Sequence, residues 1–266
     1  KEMSKKSWKG NSFDEVDVFW SKLSKGLEPT QFIGYDDLES HQEIIKIIIN
    51  GKEVKKISNT SEKISLVFNK SPFYAESGGQ VGDRGIIENI NFKFDVLDTI
   101  KRNNNIFEHY GVLISGTLIK NEKAILKVDK ALRNKTAAHH SATHLLHSAL
   151  RRNLGTHVTQ KGSLVSDNKL RFDISHNGPI PENIILRVEK EVNNQIFSNH
   201  LVTYSILDKE EAIKKGAMAI FGEKYDKKVR VIEMGRHLEE TYSIELCGGT
   251  HVKRTGDIGM LKIISE

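Results

Sequence analysis

Residues 131–154 read ALRNKTAAHHSATHLLHSALRRNL, and Asp129 and Gly155 stand on either side of this stretch. Aspartate is a preferred N-cap, and glycine commonly follows the last residue of a helix. The stretch therefore predicts one long helix from about Ala131 to Leu154. Because its pattern differs from the β-rich sequence before it, we expect it to open a separate domain over residues 131–266.

Short β-rich runs occupy the sequence upstream of this helix. They are Glu43–Ile49, Lys63–Phe68, Phe92–Leu97, Phe107–Ile114 and Ala124–Val128. Asn50-Gly51 follows the first run, and this dipeptide is the strongest short signal for a β-hairpin. A succession of short strands predicts a small β-barrel domain, closed or nearly closed, over residues 27–130.

An amphipathic helix is predicted over residues 12–25, because Val16, Phe19, Trp20 and Leu23 recur at helical spacing. Gly26 breaks this pattern. The chain begins with lysine rather than methionine. We therefore expect residues 1–26 to be the helical tail of a preceding domain, and the chain to be an internal piece of a longer protein.

The region after the long helix mixes strands and helices. Helices are predicted from Pro181 to about Asn199 and between Asp208 and Gly216. Strands are predicted at 170–174, 201–207, 229–233, 242–246 and 260–264. The order predicts an α+β domain with helices on one face of a largely antiparallel sheet.

Composition narrows the class of protein. Of 266 residues, 38% are hydrophobic, which is enough to build cores without disulfides. The single cysteine excludes an internal disulfide, and no apolar run approaches the roughly 20 residues that span a membrane. We expect a cytoplasmic monomer with no membrane partner. The net charge of +5 favours a polyanionic partner only weakly, because basic runs also form ordinary solvated faces.

Two segments together predict a metal site. His140 and His144 are four residues apart in the predicted helix, so both project from the same face. The only cysteine, Cys247, precedes His251 by four residues across a Gly-Gly pair that permits a tight turn. Three imidazoles and one thiolate suit tetrahedral zinc.

Neighbouring histidines leave the ligand set open. His147 lies on nearly the same helical face and His139 is adjacent, so either could replace one chosen ligand; we expect structural or supporting roles for both. In the zinc-protease motif a glutamate follows the first histidine as general base. Here that position is Ser141, which excludes this protease chemistry.

The same segments resemble the editing domain of the alanyl-tRNA synthetases and their free-standing relatives, the trans-editing deacylases. The resemblance covers nearly the whole chain in the right order. Its motifs are FYAESGGQVGDRG at 73–85, HSATHLLH at 140–147, GTHVTQKGSLV at 155–165, LRFD at 170–173, CGGTH at 247–251 and RTGDIG at 254–259.

The resemblance implies a function and a set of site residues. It makes His140, His144, Cys247 and His251 the ligands of Zn²⁺, and it places Thr143, Gln160 and Ser163 in an amino-acid pocket. The implied reaction is hydrolysis of the ester in tRNA(Ala) mischarged with serine or glycine. The parent would be an alanine–tRNA ligase that binds ATP, whereas the aminoacylation and ATP-binding module is absent from this sequence.

Several alternatives remain open on the residues alone. Thr143, Gln160 and Ser163 could be ordinary helix and turn residues. Four protein ligands usually close a structural zinc site, so we expect zinc to fix the pocket and the substrate amine. No residue stands out as the general base; Glu76 and Asp173 are the candidates, but the sequence favours a salt bridge or solvent contact for each.

Positive charge near the expected pocket predicts a docking face for the 3′ end of tRNA. The residues are Lys161, Arg171, Lys253 and Arg254. Two other functions remain open. The first is a free-standing alanyl-tRNA editing deacylase with the same two domains, and the second is a zinc-stabilised RNA-binding module without catalysis.

Overall fold

The computed structural model describes residues 13–58, 61–219 and 226–266, with side chains described from residue 18 onward. The chain forms two compact units. The first comprises the described residues within 1–76 together with Gly82–Asp129. The second comprises Ser77–Val81 and Lys130–Glu266, so the short segment Ser77–Val81 belongs to the unit of the long helix.

The first unit contains one helix and a series of strands. They are α1 (Phe13–Ser24), β1 (Gln31–Phe32), β2 (Glu39–Glu43), β3 (Lys46–Ile49), β4 (Lys52–Val54), β5 (Lys56–Ser58), β6 (Lys63–Val67), β7 (Lys70–Ser71), β8 (Gly85–Asn89), β9 (Phe92–Arg102), β10 (Ile106–Ile119) and β11 (Lys123–Val128). The helix is shorter than predicted at its C-terminal end, and the predicted start at Ser12 lies outside the described residues.

The main sheet of the first unit is antiparallel in every pairing and follows the order β2-β11-β8-β9-β10-β6-β3-β4, with β5 also on β10. β1 and β7 form a separate parallel pair. The predicted hairpin is confirmed, because Ile49 pairs with Lys52 and both Asn50 and Gly51 have positive φ. Positive φ at both central residues is the geometry that makes Asn-Gly favourable in such a turn.

The expectation of a closed barrel is not confirmed. Among the described strands the sheet is an open path whose ends, β2 and β4, do not pair with each other. β2 reads ESHQE and β4 reads KEV, and charged residues of this kind are typical of edge strands because they discourage further pairing. Two register shifts interrupt the pairing of β9 with β10, at Tyr110/Gly111 and Leu113/Ser115, but they do not close the sheet.

The first unit has its own apolar core between these strands. Phe68, Phe73, Phe94 and Leu126 are among its fully buried members. On the opposite side of β3 and β6, Trp20 of α1 packs with Ile48, Val67 and Ile106. The amphipathic pattern of α1 is thus confirmed as a helix that covers a sheet.

The second unit combines helices with short sheets. Its elements are α2 (Lys130–Leu154), β12 (Gln160–Val165), β13 (Leu170–Ile174), α3 (Glu182–Phe197), β14 (Thr203–Asp208), α4 (Lys209–Lys214), β15 (Lys228–His237) and β16 (Glu240–Leu246), with a 3₁₀ turn at Thr255–Ile258. β12 pairs with β13, and β14, β15 and β16 form a second antiparallel sheet. A mixed α and β unit with antiparallel sheets is as predicted.

The core of this unit lies around α2 and α3. Leu145 and Ala149 of α2 join Val188, Val192 and Ile232 in one buried cluster. Ser77–Val81 is attached to β12 through the main chain, since Val165 donates to the carbonyl of Gly79 and Val81 donates to the carbonyl of Val165. This attachment brings Gln80 into the unit of the long helix.

Some predicted elements of the second unit are wrong. Residues 260–264 form no strand, because the Leu261 N–H bonds to the side chain of Asn193 and the Ile263 N–H to Glu189, both on α3. α3 ends at Phe197 rather than at Asn199, and Asp208 makes no side-chain cap bond to α4. β12 was not predicted as a strand. Among the described helices, none has both the length and the apolar character of a transmembrane span.

Candidate metal centre

The helix α2 buries the face that carries the predicted ligands. His140 and His144 are 6% and 4% exposed, and their ring centroids are 5.3 Å apart. One helical turn separates the two side chains, so the spacing brings the rings together as expected. The apolar cluster beneath this face excludes water from both imidazoles.

The second half of the cluster is the turn that follows β16. The ring of His251 lies 4.5 Å from that of His140 and 4.7 Å from that of His144, measured between centroids. Cys247 Sγ lies 3.4 Å from His140 Nε2 and 3.3 Å from His251 Nε2. The structure thus brings His140, His144, Cys247 and His251 into one group whose ligand atoms all lie within 4.8 Å of one another.

Gly249 is required for this close approach. A Cβ at this position would lie 2.0 Å from His140 Cε1, which is far inside van der Waals contact. The turn is further held by Arg230, whose guanidinium donates to the carbonyls of Cys247 at 3.2 Å and Gly249 at 2.9 Å. The second glycine of the Gly-Gly pair is therefore needed for the turn to pack against α2.

Burial favours the neutral, metal-binding form of the imidazoles. It lowers the pKa of His140 and His251 well below the ordinary value. His144 and Arg230 lower both further, and His140 adds to the shift of His251. The pKa of His144 is also lowered, chiefly by burial, although Glu245 opposes the shift. Neutral rings keep a lone pair for a cation.

The chemistry of the donor set fits a metal ion. Nε2 of His140 and Nε2 of His251 both face Cys247 Sγ, and His144 completes the group. Three imidazoles and a thiol that converge in a dry core lack mutual donors for all their lone pairs. A cation that accepts these lone pairs resolves the deficit, and this set has the N and S character that zinc prefers.

His139 and His147 are bonded elsewhere. His139 Nδ1 lies 2.7 Å from the carbonyl oxygen of Ser166. His147 Nδ1 lies 3.1 Å from Glu245 Oε1, and its ring packs on Phe172. Neither belongs to the converging group.

The residues expected in the amino-acid pocket have partners of their own. Thr143 Oγ1 donates to the His139 carbonyl, one turn back on the same helix. Gln160 Nε2 donates to Ser163 Oγ at 3.1 Å, so these two are brought together on β12. Ser163 Oγ also lies 3.4 Å from the Gly78 carbonyl.

The expected docking residues are all exposed, and both arginines bond within the protein. Arg171 Nε lies 3.1 Å from Asp173 Oδ1. This ion pair also engages Asp173, which is one of the two candidate general bases. Arg254 donates to the side chain and the carbonyl of Asn199. The other candidate base, Glu76, is exposed and belongs to the first unit.

Several residues at this site were missed from the sequence. Ser141 Oγ accepts from the Val252 N–H and lies 3.1 Å from His251 Nδ1. Glu245 faces His144 and His147, and Gln80 contacts His140. Ser141 and Glu245 lie next to predicted ligands in the sequence and could have been found from that proximity, whereas Gln80 gives no such signal.

Two family models match parts of this chain. The family described as tRNA synthetases class II (A) matches residues 1–132. The family described as the threonyl and alanyl tRNA synthetase second additional domain matches residues 229–266. The latter range contains β16 and the turn with Cys247 and His251.

Curated relatives extend the match to almost every residue. The chain is 46% identical over 264 residues to a protein of Parvibaculum lavamentivorans named alanine–tRNA ligase, covering 98% of this chain and 30% of that protein. This chain belongs to the alanyl-tRNA synthetase family. Alanine–tRNA ligases of Rickettsia bellii and Sinorhizobium medicae are 46% and 45% identical over 100% and 98% of the chain. The chain spans about 30% of the length of these alanyl-tRNA synthetase relatives.

Proposed function

We propose that this chain is the editing region of an alanyl-tRNA synthetase and hydrolyses tRNA(Ala) mischarged with serine or glycine. The observation that carries the proposal is the buried convergence of His140, His144, Cys247 and His251. These residues lie in the unit that includes the second additional domain. The parent protein would be an alanine–tRNA ligase, as its relatives are named, with ATP-dependent charging carried out by parts outside this sequence.

The four converging residues would hold Zn²⁺ through three imidazole nitrogens and the Cys247 thiolate. When bound, zinc would tie the helix to the turn and so fix the shape of the pocket, since four protein ligands close its coordination shell; direct contact with the substrate amine would require a fifth position or a departing ligand. His140 and His144 come from a rigid helix, and the turn is held by Arg230, so the ligand positions are set before the ion binds. Water attacks the ester carbonyl, and the terminal ribose hydroxyl leaves.

Selection against serine requires a polar partner for the small hydroxyl. A site that hydrogen-bonds a substrate hydroxyl loses much binding free energy when the substrate lacks that hydroxyl. An apolar pocket loses far less when the size of the substrate changes slightly. Gln160 donates through Nε2 to Ser163, which leaves its amide oxygen as the acceptor for a seryl hydroxyl. Thr143 already donates its hydrogen to the His139 carbonyl, so it offers the substrate only a lone pair.

The tRNA acceptor end would dock beside Lys161, Arg171, Lys253 and Arg254. Exposed cations attract the phosphate backbone and make binding salt-dependent.

Hydrolysis of mischarged tRNA tests the proposed function. The zinc-loaded chain should release serine from Ser-tRNA(Ala) and glycine from Gly-tRNA(Ala), while Ala-tRNA(Ala) should remain charged. Release no faster than spontaneous hydrolysis, together with intact RNA binding, would instead favour a zinc-stabilised RNA-binding module.

A further inference from the structure

Gln80 is a fully buried amide at the junction of the two halves of the ligand group. Its side chain is 0% exposed and lies in the second unit through the segment Ser77–Val81. Oε1 lies 2.8 Å from His140 Nδ1 on α2 and 2.9 Å from the Thr250 N–H in the turn. Nε2 donates to Thr250 Oγ1 at 2.9 Å.

The orientation of this amide follows from the backbone. The Thr250 N–H can only donate, so the atom that faces it must be the amide oxygen of Gln80. The same oxygen faces His140 Nδ1, and an oxygen of this kind can only accept. His140 Nδ1 therefore carries the hydrogen, and the lone pair of this ring is on Nε2.

That assignment directs the ring toward the other ligands. His140 Nε2 lies 3.4 Å from Cys247 Sγ, so the atom with the lone pair is the one inside the converging group. The alternative tautomer would place a hydrogen on Nε2 and aim it at the site of the ion. A hydrogen bond to the distal ring nitrogen is the usual way in which a protein fixes a histidine ligand.

The position of Gln80 is itself built by the main chain. Ser77 and Gln80 exchange main-chain hydrogen bonds across Gly78 and Gly79, whose φ values of 59° and 84° favour glycine. Val165 of β12 holds the segment on both sides of Gln80. A Cβ at Gly249 would lie 2.9 Å from Gln80 Oε1, so the turn fits around the amide as well as around His140.

We propose that Gln80 is a positioning residue of the metal centre, which selects the tautomer of His140 and ties α2 to the turn between Cys247 and His251. This role rests on the metal centre of the proposed function. Loss of the acceptor would free His140 to adopt the wrong tautomer and would leave the Thr250 N–H buried without its partner. Both effects weaken metal binding before any substrate is present.

Zinc affinity and the visible spectrum of the cobalt-substituted protein test this role without an activity assay. Gln80→Met keeps the length of the side chain but removes the acceptor, and it should weaken zinc binding by about 10- to 100-fold and alter the cobalt bands. Gln80→Glu keeps an acceptor oxygen for His140 and the Thr250 N–H, and its second oxygen can accept from the Thr250 hydroxyl, so it should retain most of the affinity and a spectrum close to that of the wild type.

Gln195 provides the matched control. It is also a buried glutamine, and its amide bonds to both the N–H and the carbonyl of Arg236, away from the ligands. Gln195→Met should lower thermal stability but leave zinc affinity and the cobalt spectrum unchanged. If Gln80→Met matches Gln195→Met in zinc affinity and spectrum, the positioning role is wrong. If the wild-type chain itself binds no zinc, the proposed metal centre fails and the role of Gln80 fails with it.

Discussion

The two units bury histidines in opposite ways. In the first unit His109 is fully buried, and both ring nitrogens have partners: Nδ1 donates to the Leu66 carbonyl at 3.2 Å, and Nε2 lies 2.7 Å from Ser71 Oγ. Because Nδ1 carries the hydrogen of the neutral ring, Nε2 accepts from the Ser71 hydroxyl, and Ser71 Oγ in turn accepts from the Phe73 N–H. Both ring nitrogens of His109 therefore have hydrogen-bond partners without any metal ion.

The second unit instead brings buried rings together around a thiol. The rings of His140, His144 and His251 converge with Cys247, and the ligand atoms of the four residues lie within 4.8 Å of one another. A core of this kind costs free energy unless a cation accepts the lone pairs. The difference shows why histidine content alone does not indicate a metal site: the informative feature is whether the buried ring nitrogens face hydrogen-bond partners, as in His109, or other potential ligand atoms.

The largest effect is expected from removal of the only thiolate. Cys247→Ala should weaken zinc binding by more than about 100-fold, because even outer partners of metal ligands are worth 10- to 100-fold. Deacylation and the thermal stability of the second unit should fall together with zinc content. Metal analysis measures the zinc content, and a mischarged-tRNA assay measures deacylation.

His139→Ala is the matched control for this prediction, since His139 lies beside His140 but bonds to Ser166. It should keep zinc nearly intact. A Cys247→Ala protein that retains zinc and its fold but loses hydrolysis would show that Cys247 acts as a nucleophile rather than as a ligand.

Acid should affect the first unit through His109. Burial lowers the pKa of His109 from 6.5 to about 4. The unfolded chain therefore takes up a proton below pH 6.5 that the folded unit refuses, so the stabilisation is complete above pH 6.5 and is lost as the pH falls toward 4. The loss should approach about 3 kcal/mol.

Tryptophan fluorescence measures this loss separately, because Trp20 is buried in the first unit and residues 130–266 contain no tryptophan. Denaturant unfolding should be compared between pH 7 and pH 4.5. His109→Gln keeps hydrogen-bonding groups without titrating, and its unfolding free energy should vary less over this range. Equal pH dependence in the two proteins would refute the account of His109.

A smaller effect on hydrolysis is expected from substitution of Gln160. It tests whether a polar group of the second unit recognises the hydroxyl of the seryl ester. Gln160→Met should slow hydrolysis of Ser-tRNA(Ala) about 10-fold more than that of Gly-tRNA(Ala), because one hydrogen bond to the hydroxyl is worth about 1.4 kcal/mol. Comparison of kcat/KM for the two esters measures the difference. Equal losses would show that Gln160 supports the fold around Ser163 instead.

The smallest effect concerns the docking face. Replacing Lys253 and Arg254 by glutamate should weaken binding of aminoacylated tRNA several-fold, reduce the salt dependence and spare zinc content. The same charge change at Lys55 and Lys56 of the first unit is the control and should have less effect. If both pairs weaken binding equally, the contact is general attraction to a basic protein, and the face near the metal centre has no special part.

The sequence predicts those parts of the site that depend on local spacing. The start of α2 at Lys130 and its end at Leu154 agree with the pattern to within one residue, and helical geometry alone pairs His140 with His144. The turn at Gly248 and Gly249 makes the approach of Cys247 and His251 foreseeable. Each of these features is decided within a few neighbouring residues.

Features decided by distant partners were missed. Gln80 meets His140 from 60 positions earlier in the chain; its segment is one of the motifs of the family resemblance, but nothing in the local sequence indicates which residue Gln80 contacts. Residues 260–264 have the composition of a strand, but side chains of α3 take the N–H groups of Leu261 and Ile263. Whether the first sheet closes depends on pairing between β2 and β4, which no local pattern encodes.

The zinc content of the purified wild-type chain tests the comparison between the two units most directly. The account predicts one equivalent of zinc per chain, held by the second unit and removed by the Cys247→Ala substitution. A chain that folds fully and contains no zinc, and that gains no stability when zinc is added, would contradict it.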